Sequence, residues 1–353
     1  MGSKIGILFA VAVLAVAFLV PAMGADADVG LFSYKSQLDE NGLHVYKEVA
    51  GSETVTDETK GFVIEFEESI LFSEEEKAKK YANSTVQNAL AAAYLSNPMV
   101  AYLWNYPVTE VSVDTTISKV TVTTETGEQT YYTAAKITFS LTVPEGITAD
   151  SMKELDEAIK GYSIGGSSDA DKVSDIMSQL DKLKFKQDEE GKISNIYDAL
   201  VKKEATSAGI AQAFMQFCNL NNIPSIIVAG DNLKADKETK SFWNYVYLEG
   251  DHKGETYFAW YVVDPTYFVS AGICGYQTPV EYDGETYSMS ALLNTNLNLS
   301  SENDLTVPQL TADKYVRPGG PSFLEQHGEK LVLAGIGVVL AVGMLYAVRK
   351  GIY

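Results

Sequence analysis

Apolar and polar positions follow two different periods along this chain, and the clearest switch between them lies between Ser194 and Phe268. Positions 210, 213, 214, 217, 218 and 220 are apolar, the spacing of a helix that buries one face. Asn221-Asn222 stop it, and Ile223-Pro224 open a short β-rich run, Ser225–Gly230. Two aromatic strands follow, Phe242–Leu248 and Tyr257–Val263, with the turn-rich Glu249–Glu255 between them. The pattern therefore predicts a helix, a strand and a hairpin, in that order.

Upstream, Tyr34–Val49 predicts an opening helix with Leu38, Tyr46 and Val49 on its buried side, and Gly61–Phe66 alternates as a short strand. Ser73-Glu74-Glu75-Glu76 reads as a capping box for a helix running through Leu95, where Asn97-Pro98 stops it. Strands are predicted at Val108–Val113, Ile117–Thr124 and Tyr131–Val143, with a turn at Thr126-Gly127. In the last of these, Ala135, Ile137, Phe139, Leu141 and Val143 make a dry face, and Lys136, Thr138, Ser140 and Thr142 a wet one. Two more amphipathic helices, Ser151–Tyr162 and Asp169–Lys184, flank a Gly165-Gly166-Ser167-Ser168 joint and lead through a charged loop, Lys186–Lys192, into the core.

Both ends break the pattern. Residues 1–24 carry Lys4, an apolar run Ile5–Val20 and small residues near Ala22–Ala27, the make-up of a secretory signal peptide. Residues 331–348 lack any charge and lie between Lys330 and Arg349-Lys350. At a rise of ~1.5 Å per residue this segment reaches about 27 Å, close to the apolar thickness of a bilayer. It predicts one membrane-spanning helix with a cationic cytoplasmic tail, 349–353, and the body of the chain outside. Between the ends the reading is a leader domain of helices plus antiparallel sheet (28–148), a second α+β domain (149–315) and a Pro/Gly linker (316–330).

Within the second domain, Gly209, Ala211, Ala213 and Phe214 sit on the helix, Ile223-Pro224 follow it, Trp243-Asn244 fall on the next strand, and Val263-Asp264-Pro265-Thr266 close the hairpin. These four blocks, in this order, resemble the core of the transglutaminase-like superfamily, in its secreted microbial branch. Tyr34-x-x-x-Leu38 and Asn97-Pro98 with Trp104 resemble the helical leader that precedes that core. The resemblance implies a papain-like α+β fold with a helix packed on an antiparallel sheet. It also implies a Cys at the helix N-terminus, a His on the next strand and an Asp that orients the His. An imidazolium and the helix dipole are what lower a thiol's pKa enough for attack. In this chain the three positions fall on Ser207, Ser241 and Asp264. Serine needs a positioned base, and a second serine cannot be one, so the family mechanism is expected to be lost.

Other bases are poorly placed. His252 belongs to the far end of the hairpin, about 23 Å from Ser241 for strands of seven residues at ~3.3 Å each. Lys234, Lys237 and Lys240 lie nearer, in a polar loop. An active acyltransferase or protease using Ser207 with a base from outside the motif is the alternative. The groove that holds an extended peptide in active relatives would keep Trp243, Asn244, Tyr245, Asp264 and Tyr267, which suits a peptide or a glycan. Trp243 reads equally as groove wall or core packing and Trp260 as core, and a purely structural or adhesive module is the third reading.

The net charge of −20 argues against nucleic acid or an anionic membrane surface as partner and suits a prokaryotic surface, including an archaeal one. Cys218 and Cys274 would meet an oxidising exterior, where they pair as a disulfide or stay as separate buried thiols. No His/Cys/carboxylate spacing suggests a metal, and no cofactor motif is present. Asn83 and Asn298 begin N-x-Ser/Thr sequons.

Overall fold

The structure, a computed structural model, describes residues 32–318 apart from 125–126, 190, 234–238 and 253. The predicted signal peptide (1–24), membrane helix (331–348), cytoplasmic tail (349–353) and most of the linker lie outside the described residues. Among the described residues, no helix is long and apolar enough to cross a membrane.

The first element is a 3-10 turn, Tyr34–Gln37, followed by helix α1 (Glu40–Ala50), strand β1 (Thr59–Glu65) and helix α2 (Glu75–Ser96). The single opening helix predicted from Tyr34 is thus broken at Leu38-Asp39. Asp39 takes up extended backbone there and caps α1, its carboxylate accepting the Gly42 N–H at 2.7 Å. The capping box at Ser73 does not form: Glu74 precedes α2 with no side-chain cap, leaving Glu75 and Glu76 to favour that terminus by charge. Asn97 closes α2, donating to Ala93 O at 2.9 Å and the Tyr46 hydroxyl at 3.0 Å. The Trp104 indole N–H then donates to Pro98 O at 2.8 Å, so the Asn97-Pro98 and Trp104 motif fixes the turn that ends the helix.

Strands β2 (Asp114–Thr124) and β3 (Gly127–Thr142) complete an antiparallel sheet ordered β1-β3-β2. Val108–Val113 is not a strand; its start is a 3-10 turn, Tyr106–Val108. Ile137, Phe139, Leu141 and Val143 are buried as the alternation predicts, but Ala134 replaces Ala135 on the dry face. The register slips between Thr116 and Ile117, which face Lys136 and Ala134, so Ala135 is an extra residue and the alternation before it is inverted.

Helices α3 (Ala149–Lys160) and α4 (Asp169–Leu180) each start from a reciprocal capping box, Thr148 with Ser151 and Ser168 with Asp171. The chain leaves α4 at Leu180, four residues before the predicted end. This frees β4 (Lys184–Phe185) to pair in parallel with β5 (Glu204–Ala205), on either side of α5 (Ile196–Leu200). The predicted core then appears as helix α6 (Ser207–Leu220), strand β6 (Ser225–Asn232) and hairpin β7 (Ser241–His252) and β8 (Glu255–Val263). A small hairpin, β9 (Pro279–Tyr282) and β10 (Glu285–Ser288), leads through α7 (Met289–Leu292) to β11 (Leu293–Thr295). The central sheet is antiparallel throughout, ordered β11-β6-β7-β8.

Helix α6 is buried almost all round because it lies between this sheet and the other helices. Asn244 staples it down: its amide donates to Ala211 O in α6 at 3.1 Å and to Ile226 O in β6 at 3.3 Å. Two glycines allow close approach. A Cβ at Gly209 would lie 2.6 Å from Asn195 O, and one at Gly230 would lie 2.1 Å from Asn294 O on β11. The Gly of the first family block therefore seats α6 against the α5 cap.

The N-terminal helices are built into the same body, which runs from Ser33 onward. The buried Tyr34 hydroxyl donates to Ile227 O in β6 at 2.8 Å, and Tyr94 of α2 meets Phe242 of β7 edge-on at 6.0 Å. Gln37 grips Thr306, donating to its carbonyl at 3.0 Å and accepting its N–H and hydroxyl at 2.9 Å each. The architecture is mixed helix and antiparallel sheet, as the transglutaminase-like pattern implies.

Candidate functional site

Ser207 and Ser241 meet, as the motif alignment predicts, but they meet on a third residue. Asp188 lies in the loop after β4. One of its oxygens accepts both the Ser207 backbone N–H at 3.0 Å and the Ser207 hydroxyl at 2.8 Å. The other accepts the Ser241 hydroxyl at 2.9 Å and the Tyr267 hydroxyl at 2.8 Å. Ser207 Oγ in turn accepts the Phe242 N–H at 2.9 Å. Ser207 and Ser241 are both 0 % exposed and Asp188 is 5 % exposed.

Local sequence explains the position. Thr206, the residue before α6, exchanges hydrogen bonds with Ser194, each at 3.1 Å, and does not cap the helix. The open helix N-terminus is filled by the Asp188 carboxylate, which suits the positive end of the helix dipole. The β4–β5 pair holds the loop, with Lys186 N–H donating to Ala205 O at 2.8 Å, and Phe185 packs edge-on against Tyr267 at 5.0 Å. Sequence reasoning missed Asp188: in the loop Lys186–Lys192, nothing in residue type or spacing separates one buried carboxylate from the solvated charges beside it.

Asp264 is also buried, and it holds the turn after β8. One oxygen accepts Thr266 N–H at 2.8 Å, Thr266 hydroxyl at 2.6 Å and Tyr267 N–H at 3.1 Å; the other has no partner. Burial pushes its carboxyl up to about 6, with the three hydrogen bonds opposing and the Asp188 charge adding to the rise. Burial likewise raises Asp188 above the usual carboxylate range, against the pull of its four donors, and raises Tyr267. This is a cluster of two carboxylates and four hydroxyls. No cation hydrogen-bonds to either carboxylate among the described residues.

The remaining candidates separate. Asn244 faces α6, whereas Trp243 and Tyr245 point to the opposite face of the sheet, because successive strand residues alternate. Trp243, Asn244 and Tyr245 are all buried, so with Asp264 and Tyr267 they do not form one groove wall. Trp260 is buried beside Tyr247. His252 pairs with Asp313 at 2.8 Å, at the tip of the hairpin. The Lys240 ammonium donates to Asn296 O at 3.2 Å, and burial lowers its pKa; Lys234 and Lys237 lie outside the described residues. Cys218 and Cys274 do not form a disulfide: both are free and buried, and burial pushes their thiols up to about 12 and about 11.

Two openings flank the cluster. One, of about 620 Å³, sets Lys186, Lys192 and Lys202 among Glu189, Asp198 and Glu204. Each lysine there is paired, Lys202 with Asp198 at 2.8 Å, Lys186 with Glu204 at 3.5 Å and Lys192 with Glu189. A smaller one, of about 160 Å³, reaches Asp188, Thr206, Lys240 and Phe242. Ser207 and Ser241 line neither. Asp188 stands between them and the surface.

No protein-family model matches this sequence, and no curated protein does. The solved structures that the chain resembles are transglutaminase-like and protease domains. With a TGase it shares 13% identity over 60% of this chain and 52% of that one, at a TM-score of 0.27. With the periplasmic domain of TgpA from Pseudomonas aeruginosa it shares 15% identity over 45% of this chain and 64% of that one, at a TM-score of 0.23. The chain thus spans about half the length of the TGase it resembles.

Proposed function

We propose that this chain is a membrane-anchored surface protein whose transglutaminase-like core performs no acyl transfer and acts as a binding or structural module of the envelope. One observation carries the inactive reading: Asp188 occupies the centre where a thiolate and an imidazole would face each other, and ties up both serines there. A nucleophile needs a free lone pair aimed at a carbonyl and a base that returns its proton to a leaving group. Ser207 Oγ accepts Phe242 N–H, donates to Asp188 and has no access to solvent.

Asp188 is also the feature among the described residues that favours the alternative, since a carboxylate 2.8 Å from a serine hydroxyl is a base from outside the family motif. Its burial and its further bonds to Ser241 and Tyr267 make it a structural acceptor instead. Purified protein is expected to show background rates only, in both amine incorporation into a glutamine donor and peptide hydrolysis. Activity above background that disappears in Ser207→Ala would overturn the reading. Anchoring is supported by the apolar segment 331–348 and its cationic flank. The full chain is expected to stay with membranes through an alkaline carbonate wash, and a chain ending at residue 318 to be released. Release of the full chain would count against the anchor.

A further inference from the structure

The N-terminal sheet ends in an arm. β1 pairs with β3 only over Lys136–Thr142, and past that point a single bridge, Phe72 to Tyr132, supports the same side of β3. From Val120 to Tyr131 the sheet is a two-stranded ribbon, with Val120 opposite Tyr131 and Val122 opposite Gln129. Two strands alone are marginal in water, and a further strand is what stabilises such a ribbon. Threonine and valine supply β2 with strong strand formers, and it contains neither glycine nor proline.

Backbone parity shows which groups of β2 are open. Tyr132 exchanges both of its backbone hydrogen bonds with Phe72, each at 2.8 Å, so its odd-numbered neighbours in β3 are the ones that face β2. The register sets Thr133 against Ser118, Tyr131 against Val120 and Gln129 against Val122. Ile117, Lys119, Thr121 and Thr123 therefore turn their N–H and C=O groups outward, and none of these has a backbone partner among the described residues. The edge of the central sheet is covered instead: Thr311 N–H donates to Trp260 O at 3.0 Å, and Cys274 exchanges bonds with Val262. Charge then narrows what can approach. The chain carries a net −20, yet no acid lies between Thr115 and Thr124, whose one charge is Lys119. That ammonium lies over the Tyr132 ring, 5.8 Å from its centroid, on the arm's own face. The open edge of β1, by contrast, is bracketed by Asp57, Glu58, Glu65, Glu67 and Glu68, which keep a second copy away.

We infer that β2 is an interface between two copies of this chain, paired antiparallel about a two-fold axis through Val120, so that two three-stranded sheets join into one of six. A two-fold pairing suits a strand edge because the same row supplies donors and acceptors to its own copy. In this register Lys119 faces Thr121 of the second copy and Ile117 faces Thr123, so all four outward residues find partners, with about eight backbone hydrogen bonds. Val120 meets its own counterpart at a position without hydrogen bonds, where side chains lie closest. An axis through Lys119 would set two ammonium groups opposite each other, which disfavours that register. The interface does not involve the Asp188 cluster and stands whether or not that cluster is inactive.

The test sizes the full chain in detergent micelles by sedimentation equilibrium, where a dimer is expected with a Kd on the order of 10 µM. Thr121→Lys sets like charges opposite Lys119 at two symmetric places and should weaken the dimer about tenfold, whereas Thr121→Glu sets opposite charges there and should tighten it about as much. Thr121 is exposed on the arm, so both variants should keep the parent's circular dichroism spectrum. Val120→Cys should give a covalent dimer under mild oxidation and Thr130→Cys, on β3, should not; Cys218 and Cys274 are buried and free, so they add no background. A monomer at about 100 µM, tenfold above that Kd, overturns the interface. So does a dimer indifferent to both charges at 121, as association through residues 331–348 would give, or a Val120→Cys protein that does not cross-link.

Discussion

Replacing Asp188 with alanine is expected to lower the unfolding free energy by about 3–5 kcal/mol, while asparagine at the same position costs under about 1 kcal/mol. Alanine strands four donors at once: the Ser207 N–H, the two serine hydroxyls and the Tyr267 hydroxyl. The hydroxyls can turn toward one another, but the Ser207 N–H is fixed at the start of α6 and has no other acceptor within reach. Asparagine keeps an oxygen for that N–H and for Ser207 Oγ. Its amide then faces Ser241 and Tyr267, whose hydroxyls rotate to accept, and the cost of burying a charge is removed. Urea midpoints of the two variants decide the matter. If alanine and asparagine unfold together with the parent, the carboxylate does not hold the site closed, and the case for a structural Asp188 fails.

Asp264→Asn is expected to change how stability depends on pH more than stability itself. The folded carboxyl titrates at about 6, above its unfolded value near 3.8. An acid with a raised pKa binds its proton more tightly when folded, so its favourable contribution is complete below about pH 4. That contribution is lost as pH rises, and by pH 7 the loss amounts to about 3 kcal/mol. Asparagine does not titrate. The stability difference between variant and parent should therefore move by about 2 kcal/mol in favour of the variant between pH 4 and pH 7, whatever offset the amide introduces. Asp188 titrates in the same direction and is present in both proteins, so the double variant with Asp188→Asn should be flatter still. Parallel stability curves for parent and Asp264→Asn would mean that the buried carboxyl is solvated or paired in solution.

Much of the core could be read directly. The apolar period over 210–220 is a helix because three faces of α6 are buried, and Asn221 ends it as expected. Strand limits were less legible. The residues Glu249–Glu255 suggest a turn, yet the ladder continues through Glu249, Asp251 and His252 to the tip, since an edge hairpin can pair its backbone while its polar side chains stay in water. The bulge at Ala135 inverted one predicted face because alternation carries no mark of an inserted residue. At the site, Ser207 and Ser241 lie together on Asp188, and Asp264 holds the turn that carries Tyr267. What the motif could not supply was the residue that fills the gap. Two serines place small hydroxyls around a helix N-terminus, and the acceptor that satisfies them comes from a loop nineteen positions upstream of Ser207. Aromatic candidates were identified by type, but the side of the sheet each takes depends on strand parity, which only the register β6–β7–β8 settles.

The clasp between Gln37 and Thr306 joins positions 269 residues apart. As the chain is made, Gln37 emerges early and Thr306 late, so this clasp can close only after the central sheet between them has been made. Tyr34 waits in the same way for Ile227. Closing loops of this length costs entropy before any contact compensates for it, and such topologies fold slowly. The Gln37–Thr306 clasp and the Tyr34–Ile227 bond are therefore late ties, laid over leader helices that already pack on each other.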